Sequence, residues 1–573
     1  MTDIRRAVLW VVLTMSLLML WDGWQKHNGQ PSLFSPSKPA ATATSAASAA
    51  ASGSAGVPAP TAGAAAVPAT GAAAPVPVVS QKLVIETDVL RVSIDTLGGD
   101  VVRAELPHYL STFTPEITDQ LLQTVGLQKK PDFKPEPIVL FDAAESYRAQ
   151  TGLVGAKGEA LPTHHTLFAV ASEERVLKDG ANELSLRLES AEVGGVKLIK
   201  TYTFKRGSYA IGVKHEVVNA GGAPVAPQLY VQLVRAAATQ GGNVPFAPTY
   251  TGPALYTDKA KFHKLEFKDI EKGKLDFEKS ASDGWVAMVQ HYFTSAWLHG
   301  GDAKREFFAN KVAGTTGQTY AVGMLYTLPE LAPGATAAHE DTLFAGPQEE
   351  NKLAALAPGL ELVKDYGIFS ILSKPLFWLL DKLHGLIGNW GWAIVALVVL
   401  LKIAFYWLNA SAYRSMAKMK AVAPRINEMR ERLKDKPQEM QAEMMRIYKE
   451  EKVNPVGGCL PIFLQMPFFI ALYWVLLSTV EMRQAPWIGW ITDLSVRDPY
   501  FILPLIMLAA NLFQVWLNPP AADPMQQKMM WIMPIVFGIM FFAFPSGLVL
   551  YWVTNTVLGI AQQWLINRQL GVS

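Results

Sequence analysis

Hydrophobic and polar positions follow three rhythms along this chain, and each predicts a different kind of element. From about residue 81 to 345, apolar residues fall at every second position of short runs, as in "KLVIETDVLRVSIDTLGGDVV" and "LKDGANELSLRLESAEVGGVKLIKTYTFKRGSYAIGVKHEVVNAGG". A period of two marks half-buried strands, and the Asp-Gly and Gly-Gly pairs between the runs mark turns. The expected product is an all-β sandwich. Elsewhere the apolar residues form unbroken runs. One lies near the N-terminus ("RRAVLWVVLTMSLLMLWDGW"), and five follow at about 390–408, 457–480, 500–517, 530–544 and 547–566. These predict six membrane-spanning helices. A third rhythm, helical spacing, marks "SKPLFWLLDKLHGLIGNWGW", where Leu376, Leu379, Leu380, Leu383 and Leu386 recur. It predicts an amphipathic helix on the outer membrane surface, with a helix packed against its neighbours as the alternative.

Charge orients these elements. Residues 409–456 hold Arg414, Lys418, Lys420, Arg425, Arg430, Arg432, Lys434, Lys436, Arg446, Lys449 and Lys452, whereas the loop after the next run has only Arg483 and Arg497. Positive residues stay inside, so 409–456 is cytoplasmic. Arg5 and Arg6 place the N-terminus on the same side, and the bulky "WDGWQKHN" replaces a cleavage site, which favours a retained anchor. Both termini are then cytoplasmic. The stretch "AATATSAASAAASGSAG" is too poor in large apolar side chains to fold and reads as a tether. Residues 409–456 read as a helical hairpin whose second arm opens at Pro437. Its Met440 and Met444 offer soft apolar contacts, and Arg425, Arg430 and Arg432 offer basic ones, to lipid heads or a ribosome. Ordinary solvated helices are the alternative.

Composition narrows the chemistry. The chain has 573 residues, 50% of them hydrophobic, with a mean hydropathy of +0.17. A net charge of +2 is too small to favour nucleic acid. A single cysteine, Cys459, excludes an internal disulfide and gives no zinc site, so no metal or cofactor is expected. "HEVVN" at His215 lacks the second histidine of the zinc-protease motif and lies on a strand. No Gly-x-x-x-x-Gly-Lys loop occurs, and Ser411, Ser415, Ser478 and Ser546 lie at the wrong depths to form a serine–lysine pair with Lys402.

Lys402 is itself an anomaly, a charge inside "ALVVLLKIAFYW". At the centre of a span it costs at least ~2.5–3.5 kcal/mol on the mildest scale. Gln465, Asn511, Gln514, Thr554 and Asn555 also interrupt the apolar runs, with Gln562 and Gln563 nearer the inner end. At ~1.5 Å per residue most of these lie within ~12 Å of the cytoplasmic surface. The outward halves, such as "AIVALVV" and "FFIALYWVLL", are nearly pure hydrocarbon. Facing one another, the polar groups would line a wet vestibule open to the cytoplasm and sealed outward. Spacing alone leaves two alternatives open: snorkelling by Lys402, and asparagine and glutamine hydrogen bonds that merely join helices. The run from Trp531 to Phe544 reaches only ~21 Å as a helix, against ~30 Å of hydrocarbon, and would thin the bilayer.

Five stretches resemble the YidC-type membrane protein insertases of Gram-negative form: "SMAKMKAVAPRINEMRERL" (415–433), "NPVGGCLPIFLQMPFFIALY" (454–473), "VEMRQAPWIGWITDLSVRDPYFILP" (480–504), "DPMQQKMMWIMP" (523–534) and "FPSGLVLYWVTN" (544–555). The resemblance covers most of residues 370–566. It implies a groove open to cytoplasm and bilayer, whose central cation receives hydrophilic parts of a nascent membrane protein. In many relatives that cation is arginine; Lys402 matches it here and keeps the charge without the bidentate fork. Gln465 matches a groove glutamine. The runs 457–480 and 530–544 would form a slide for the departing client helix. The β region is similar to the supersandwich linked in these insertases with Sec translocon contact. The chain ends soon after "QQWLINRQLGVS", so ribosome contact through a long basic tail is not expected.

The expected molecule is an α+β multi-domain membrane protein. It comprises an anchor (1–27), a disordered periplasmic linker (28–80), a periplasmic β-sandwich (81–350), and a connector with the interfacial helix (351–389). A five-helix core (390–566) with its hairpin (409–456) and a tail (567–573) follow. It is read as a monomeric, non-enzymatic insertase of the bacterial inner membrane. Its partners are nascent membrane proteins, the Sec translocon, the bilayer and the ribosome through cytoplasmic loops. A Sec-associated structural chaperone is the alternative. A secondary transporter would need polar groups reachable from both sides and inverted repeats, neither of which the sequence displays.

Overall fold

The computed structural model describes residues 57–58, 80–142, 146–237, 250–314, 317–433, 436–451, 460–518 and 524–569. The expected anchor, nearly all of the linker, Cys459 and the last residues of the tail lie outside the described residues.

The alternating region forms two nine-stranded antiparallel sheets packed face to face. One runs in the order β1 (Lys82–Glu86), β2 (Arg91–Asp95), β3 (Asp100–Leu110), β5 (Arg148–Gly155), β10 (Pro227–Ala236), β17 (Gly317–Thr327), β16 (Arg305–Gly314) and β13 (Ser280–Ala281), with β4 (Pro137–Val139) beside β3. The other runs β12 (Lys261–Lys264), β11 (Gly252–Thr257), β14 (Trp285–Val289), β15 (Phe293–Leu298), β18 (Thr336–Pro347), β9 (Ala210–Asn219), β8 (Val196–Lys205), β7 (Glu183–Ser190) and β6 (Phe168–Val170). On β8 the residues Val196, Leu198, Tyr202 and Phe204 point inward, and on β9 Ile211, Val213 and Val217 do so. Period two therefore becomes a shared core.

That core also holds polar groups. The buried Lys200 ammonium donates to the Gly98 and Thr151 carbonyls at 2.6 and 2.8 Å. Gln150 donates to the buried Asp100 carboxylate at 2.7 Å. Burial pushes the Asp100 carboxyl up to about 7 against the pull of Lys200, and pushes the Lys200 ammonium down to about 8. Two short helices, α1 (Ile117–Thr124) and α2 (Phe267–Lys272), interrupt the strands.

After α3 (Glu350–Leu356) the chain is helical: α4 (Ser370–Ile387), α5 (Trp390–Ala404), α6 (Tyr406–Arg432), α7 (Pro437–Glu450), α8 (Leu460–Ser478), α9 (Ile502–Leu517), α10 (Pro524–Phe541) and α11 (Ser546–Gln569). The run expected to continue to residue 408 breaks at Phe405, whose N–H turns onto the Leu401 and Ile403 carbonyls before α6 begins. The leucine stripe of α4 is divided. Leu376 and Leu380 are buried with Phe377 against α5 and α8, while Leu386 is 85% exposed together with Ile371 and Trp378. Among the described residues no helix is long and apolar enough to cross a membrane. Length contributes to this: the 15 residues of α5 and the 16 of α9 reach only ~22 and ~24 Å at ~1.5 Å each.

The β domain sits on the loop joining α8 to α9. Val480 of that loop is fully buried in the sandwich's own core with Leu360 and Val363. Around it, Arg483 and Gln484 donate to the Leu110 carbonyl at 2.8 and 3.1 Å. Ser478 donates to the Asp365 carbonyl, and the His291 ring meets the Leu477 carbonyl at 3.0 Å. The buried Lys364 lies 3.6 Å from Glu481 and 3.9 Å from the centre of the Phe377 ring. Burial pushes the Glu481 carboxyl up, and the Lys364 charge opposes that shift. The hairpin of α6 and α7 leaves from the other end of α5.

Candidate functional site: a half-open polar layer in the helical core

Five helices carry the core, and α11 packs against α5, α6, α8 and α9. It therefore joins the helices bearing Lys402 (α5), Gln465 (α8) and Asn511 with Gln514 (α9) to its own Thr554 and Asn555. Asn389 starts α5 properly. Its side chain accepts from the Trp392 N–H at 3.0 Å and donates to the Pro486 and Trp487 carbonyls.

Burial falls toward the hairpin along α5, α8 and α9, whereas α11 stays buried at Thr556, Gly559, Gln562, Gln563 and Ile566. On the β-domain side, Ala393, Ile394, Leu397 and Val398 of α5 are buried, as are Ala471, Leu472 and Val475 of α8 and Leu548, Val549 and Leu550 of α11. Toward the hairpin the packing opens: Val399, Leu400 and Ile403 are exposed on α5, and Met466 on α8. On α9 no residue after Met507 is buried. Lys402, Gln465, Asn511, Gln514, Thr554 and Asn555 all fall in this opened half, each half-buried.

An aromatic layer divides the halves. Phe469 stacks on Trp552 at 5.1 Å and meets Tyr551 edge-on at 5.8 Å. Phe541 meets Trp552 at 5.3 Å, and Tyr473 meets Phe544 at 5.9 Å. Phe469 is one helical turn outward of Gln465, and Trp552 is nearly one turn outward of Asn555. Sequence reasoning missed this layer, although its trace is legible as bulky rings one turn from each polar residue in "QMPFF" and "YWVTN".

Hydrogen bonding separates the polar residues into two groups. Gln562 donates to the Tyr406 carbonyl at 3.5 Å, and Gln563 to the Asn518 side chain at 3.0 Å, so these two join helices. Thr554 donates to its own helix at the Leu550 carbonyl. The side chains of Lys402, Gln465, Asn511, Gln514 and Asn555 make no hydrogen bond or ion pair with another described residue. Polar groups in an apolar bundle need partners, and these five have none among the described residues.

The hairpin has its own small core of Val422, Ile426, Met429 and Ile447, against which Met440, Met444 and Tyr448 pack. Met440 and Met444 thus spend part of their surface inside the hairpin. Arg425 pairs with Glu450 and Glu451 at 3.1 and 2.7 Å, Arg430 is half-buried, and Arg432 is exposed.

One cluster elsewhere has metal-ligand residue types. His299, His339 and Asp341 meet at the β15–β18 edge, with ring nitrogens 3.1 and 3.3 Å from the carboxylate. The two imidazoles stack with planes 3° apart and centres at 4.7 Å. Parallel planes share no point, so one ion cannot lie in both rings. Burial alone would raise the Asp341 carboxyl; the hydrogen bonds from both histidines outweigh it and hold it well below the usual carboxylate range. The cluster is a carboxylate cradled by imidazoles. His215, opposite His339 in the sheet, is a core histidine bonded to Thr151 at 3.0 Å.

The family model described as 60Kd inner membrane protein matches residues 382–571, and that described as YidC periplasmic domain matches 127–379. A membrane protein insertase YidC from Cupriavidus necator is 50% identical over 577 residues, covering 99% of this chain and 98% of its own. One from Cupriavidus taiwanensis is 51% identical over 581 residues with the same coverages. A solved active YidC insertase, with its first transmembrane domain resolved, shares 17% identity at a TM-score of 0.37, covering 84% of this chain and 92% of that one.

Proposed function

This chain belongs to the YidC family of membrane protein insertases, and from that premise we propose that it inserts and folds nascent proteins in the bacterial inner membrane. It does so without enzymatic chemistry, alone or beside the Sec translocon, through the half-open polar layer around Lys402. The observation that carries this reading is the burial gradient of α5, α8 and α9, closed and apolar on the β-domain side and open on the hairpin side, where the half-buried Lys402, Gln465, Asn511 and Gln514 lie. With the N-terminal anchor (1–27) and tether (28–80), the five core helices make six spans. Both termini are then cytoplasmic and the β domain periplasmic.

A client's short polar end enters from the cytoplasm. Lys402, which has no carboxylate of its own among the described residues, donates to the client's acidic or carbonyl groups, and Gln465, Asn511, Gln514 and Asn555 exchange water for the client's backbone. The aromatic layer stops the polar end, and the short helices reduce the hydrocarbon left to cross. Along α10 the apolar side chains Ile532, Val536 and Ile539 are exposed. With α8 they form a slide on which the client's apolar segment leaves, driven by burial at ~25 cal/mol per Å². Exposed basic residues of the hairpin, such as Arg432, face the ribosome.

Complementation of a depleted strain tests the charge. Lys402→Arg should support insertion of single-span clients. Lys402→Ala should slow clients with acidic ends about tenfold, the loss of one charge-assisted contact of ~1.5 kcal/mol, and Lys402→Glu should slow them further. Wild-type rates for both Lys402→Ala and Lys402→Glu would sink the groove-charge mechanism. Cysteines at positions 402 and 555 should react with a polar reagent from the cytoplasmic side alone.

A further inference from the structure

We propose that residues 113–133 of the β domain form an apolar lip that sits in the outer leaflet of the bilayer beside the core; this rests on the reading above that the core helices lie in a membrane. Among the described residues, eleven large hydrophobics are exposed between Val84 and Leu356, and seven of them fall in this one stretch. Leu121, Leu122, Val125 and Leu127 are 50, 40, 60 and 78% exposed, and the exposed rings of Phe113 and Phe133 lie 5.5 Å apart beside them. The other four, Val84, Leu167, Val176 and Leu356, are spread along the chain.

Helix α1 is inverted relative to a helix built for water. Its one buried residue is polar: Gln120 donates to the Asp498 carbonyl at 2.7 Å, and one turn on the exposed Thr124 reaches the Pro499 carbonyl at 3.3 Å. Its outward residues Ile117, Leu121 and Leu122 are apolar. An amphipathic helix turns its apolar stripe toward the apolar phase, and among the described residues no protein surface covers this stripe. Contiguous exposed apolar surface of this kind marks a membrane or protein contact.

Position selects the membrane. Asp498 and Pro499 immediately precede α9, whose first exposed side chains are Leu505 and Ile506. The Arg497 guanidinium donates to the Pro115 carbonyl. The lip is therefore pinned where the apolar outer surface of the core begins, and is continuous with it. At the same place Lys130 lies 5.3 Å from the centre of the half-exposed Tyr500 ring, and both residue types suit the headgroup zone. Lys129, Lys130 and Lys134 are offset by Glu116, Asp119, Asp132 and Glu136, so the leaflet's hydrocarbon, rather than headgroup charge, holds the lip.

Spin labels on the full chain in lipid nanodiscs test this. On a Cys459→Ser background, single cysteines replace Leu122, Leu127, Val176 and Ile539, and collision with oxygen and with a nickel chelate is read at each. Labels at 122 and 127 should be reached by oxygen and shielded from nickel, matching 539, while 176 shows the reverse. Nickel access at 122 and 127 equal to that at 176 would put the lip in water. Shielding from both reagents would mean a protein partner or client covers it; either result overturns the proposal while 539 still reports lipid. Nickel access at 539 would overturn the membrane reading of the core itself, and the lip with it.

Discussion

Lys402 and His215 are two cations-in-waiting that the fold treats in opposite ways. Lys402 is half-buried with no described partner, as a group kept for a guest would be. His215 is fully buried in the sandwich core. Burial holds its imidazole down at about 3, against 6.5 for a free ring, with the Asp341 charge opposing. A histidine depressed in the folded state contributes stability that is complete above about pH 6.5 and is lost as pH falls from there toward 3. The slope is about 1.4 kcal/mol per pH unit. Asp100, whose carboxyl burial raises against the pull of Lys200, works in the opposite direction. The informative quantity is therefore a difference. The stability gap between the wild type and His215→Gln should shrink as pH falls from 6.5 to 4.5 in denaturant titrations of the detergent-solubilised protein. A gap that stays constant would remove His215 from the account. In the sequence His215 was legible as a strand histidine from the alternation around it, and "HEVVN" lacks the second histidine of the zinc-protease motif. The cradle of His299, His339 and Asp341 was not, because it exists only through the β15–β18 pairing, which brings together residues about forty positions apart.

Elements were legible wherever one periodicity ruled. The strands β1, β2, β7, β8 and β9 follow their alternation, whereas β5, β10, β11, β14 and β15 are buried on both faces, and the second arm of the hairpin opens at its proline. Legibility failed where two surfaces competed for one helix. The leucines of α4 share helical spacing, yet the structure gives Leu376 and Leu380 to the core and leaves Leu386 exposed; spacing records a face, not what covers it. The apolar run at 390–408 continues past Phe405 in composition, so nothing in its hydrophobicity announced the break before α6. In α1 the pattern is inverted, and its meaning appears only once Gln120 is found facing Asp498. The hairpin's stability should depend on its small core rather than its ion pairs. Ile447→Ala, which empties a buried site at a cost of ~2–5 kcal/mol, should make α6 and α7 exchange amide hydrogens rapidly while the β domain stays protected. Arg425→Ala, at an exposed pair worth ~0–1 kcal/mol, should change exchange little. Equal effects would show that charge, not packing, closes the hairpin.

At the scale of the molecule, Val480 is the apolar part of a joint whose polar part is made by Arg483, Gln484, Arg497 and Gln120. Val480 belongs by sequence to the helical core and by packing to the sandwich, a placement no local pattern could reveal because its partners Leu360 and Val363 lie more than a hundred residues away. Val480→Asp should put an unpaired carboxylate into that core, at a cost of several kcal/mol, and split thermal unfolding into separate β-domain and helical transitions. A single unshifted transition would show that the polar contacts of Arg483 and Gln484 suffice. The aromatic layer of Phe469, Tyr551 and Trp552 has an electrical consequence. Under the proposed function, water filling the half below it makes that half conducting, and the layer with the closed packing above it becomes the thin dielectric across which the membrane voltage falls. The total work on a crossing charge is unchanged at ~2.3 kcal/mol per 100 mV. It is delivered over a fraction of the bilayer's thickness, so an acidic client end resting against those rings already feels the full steepness of the field.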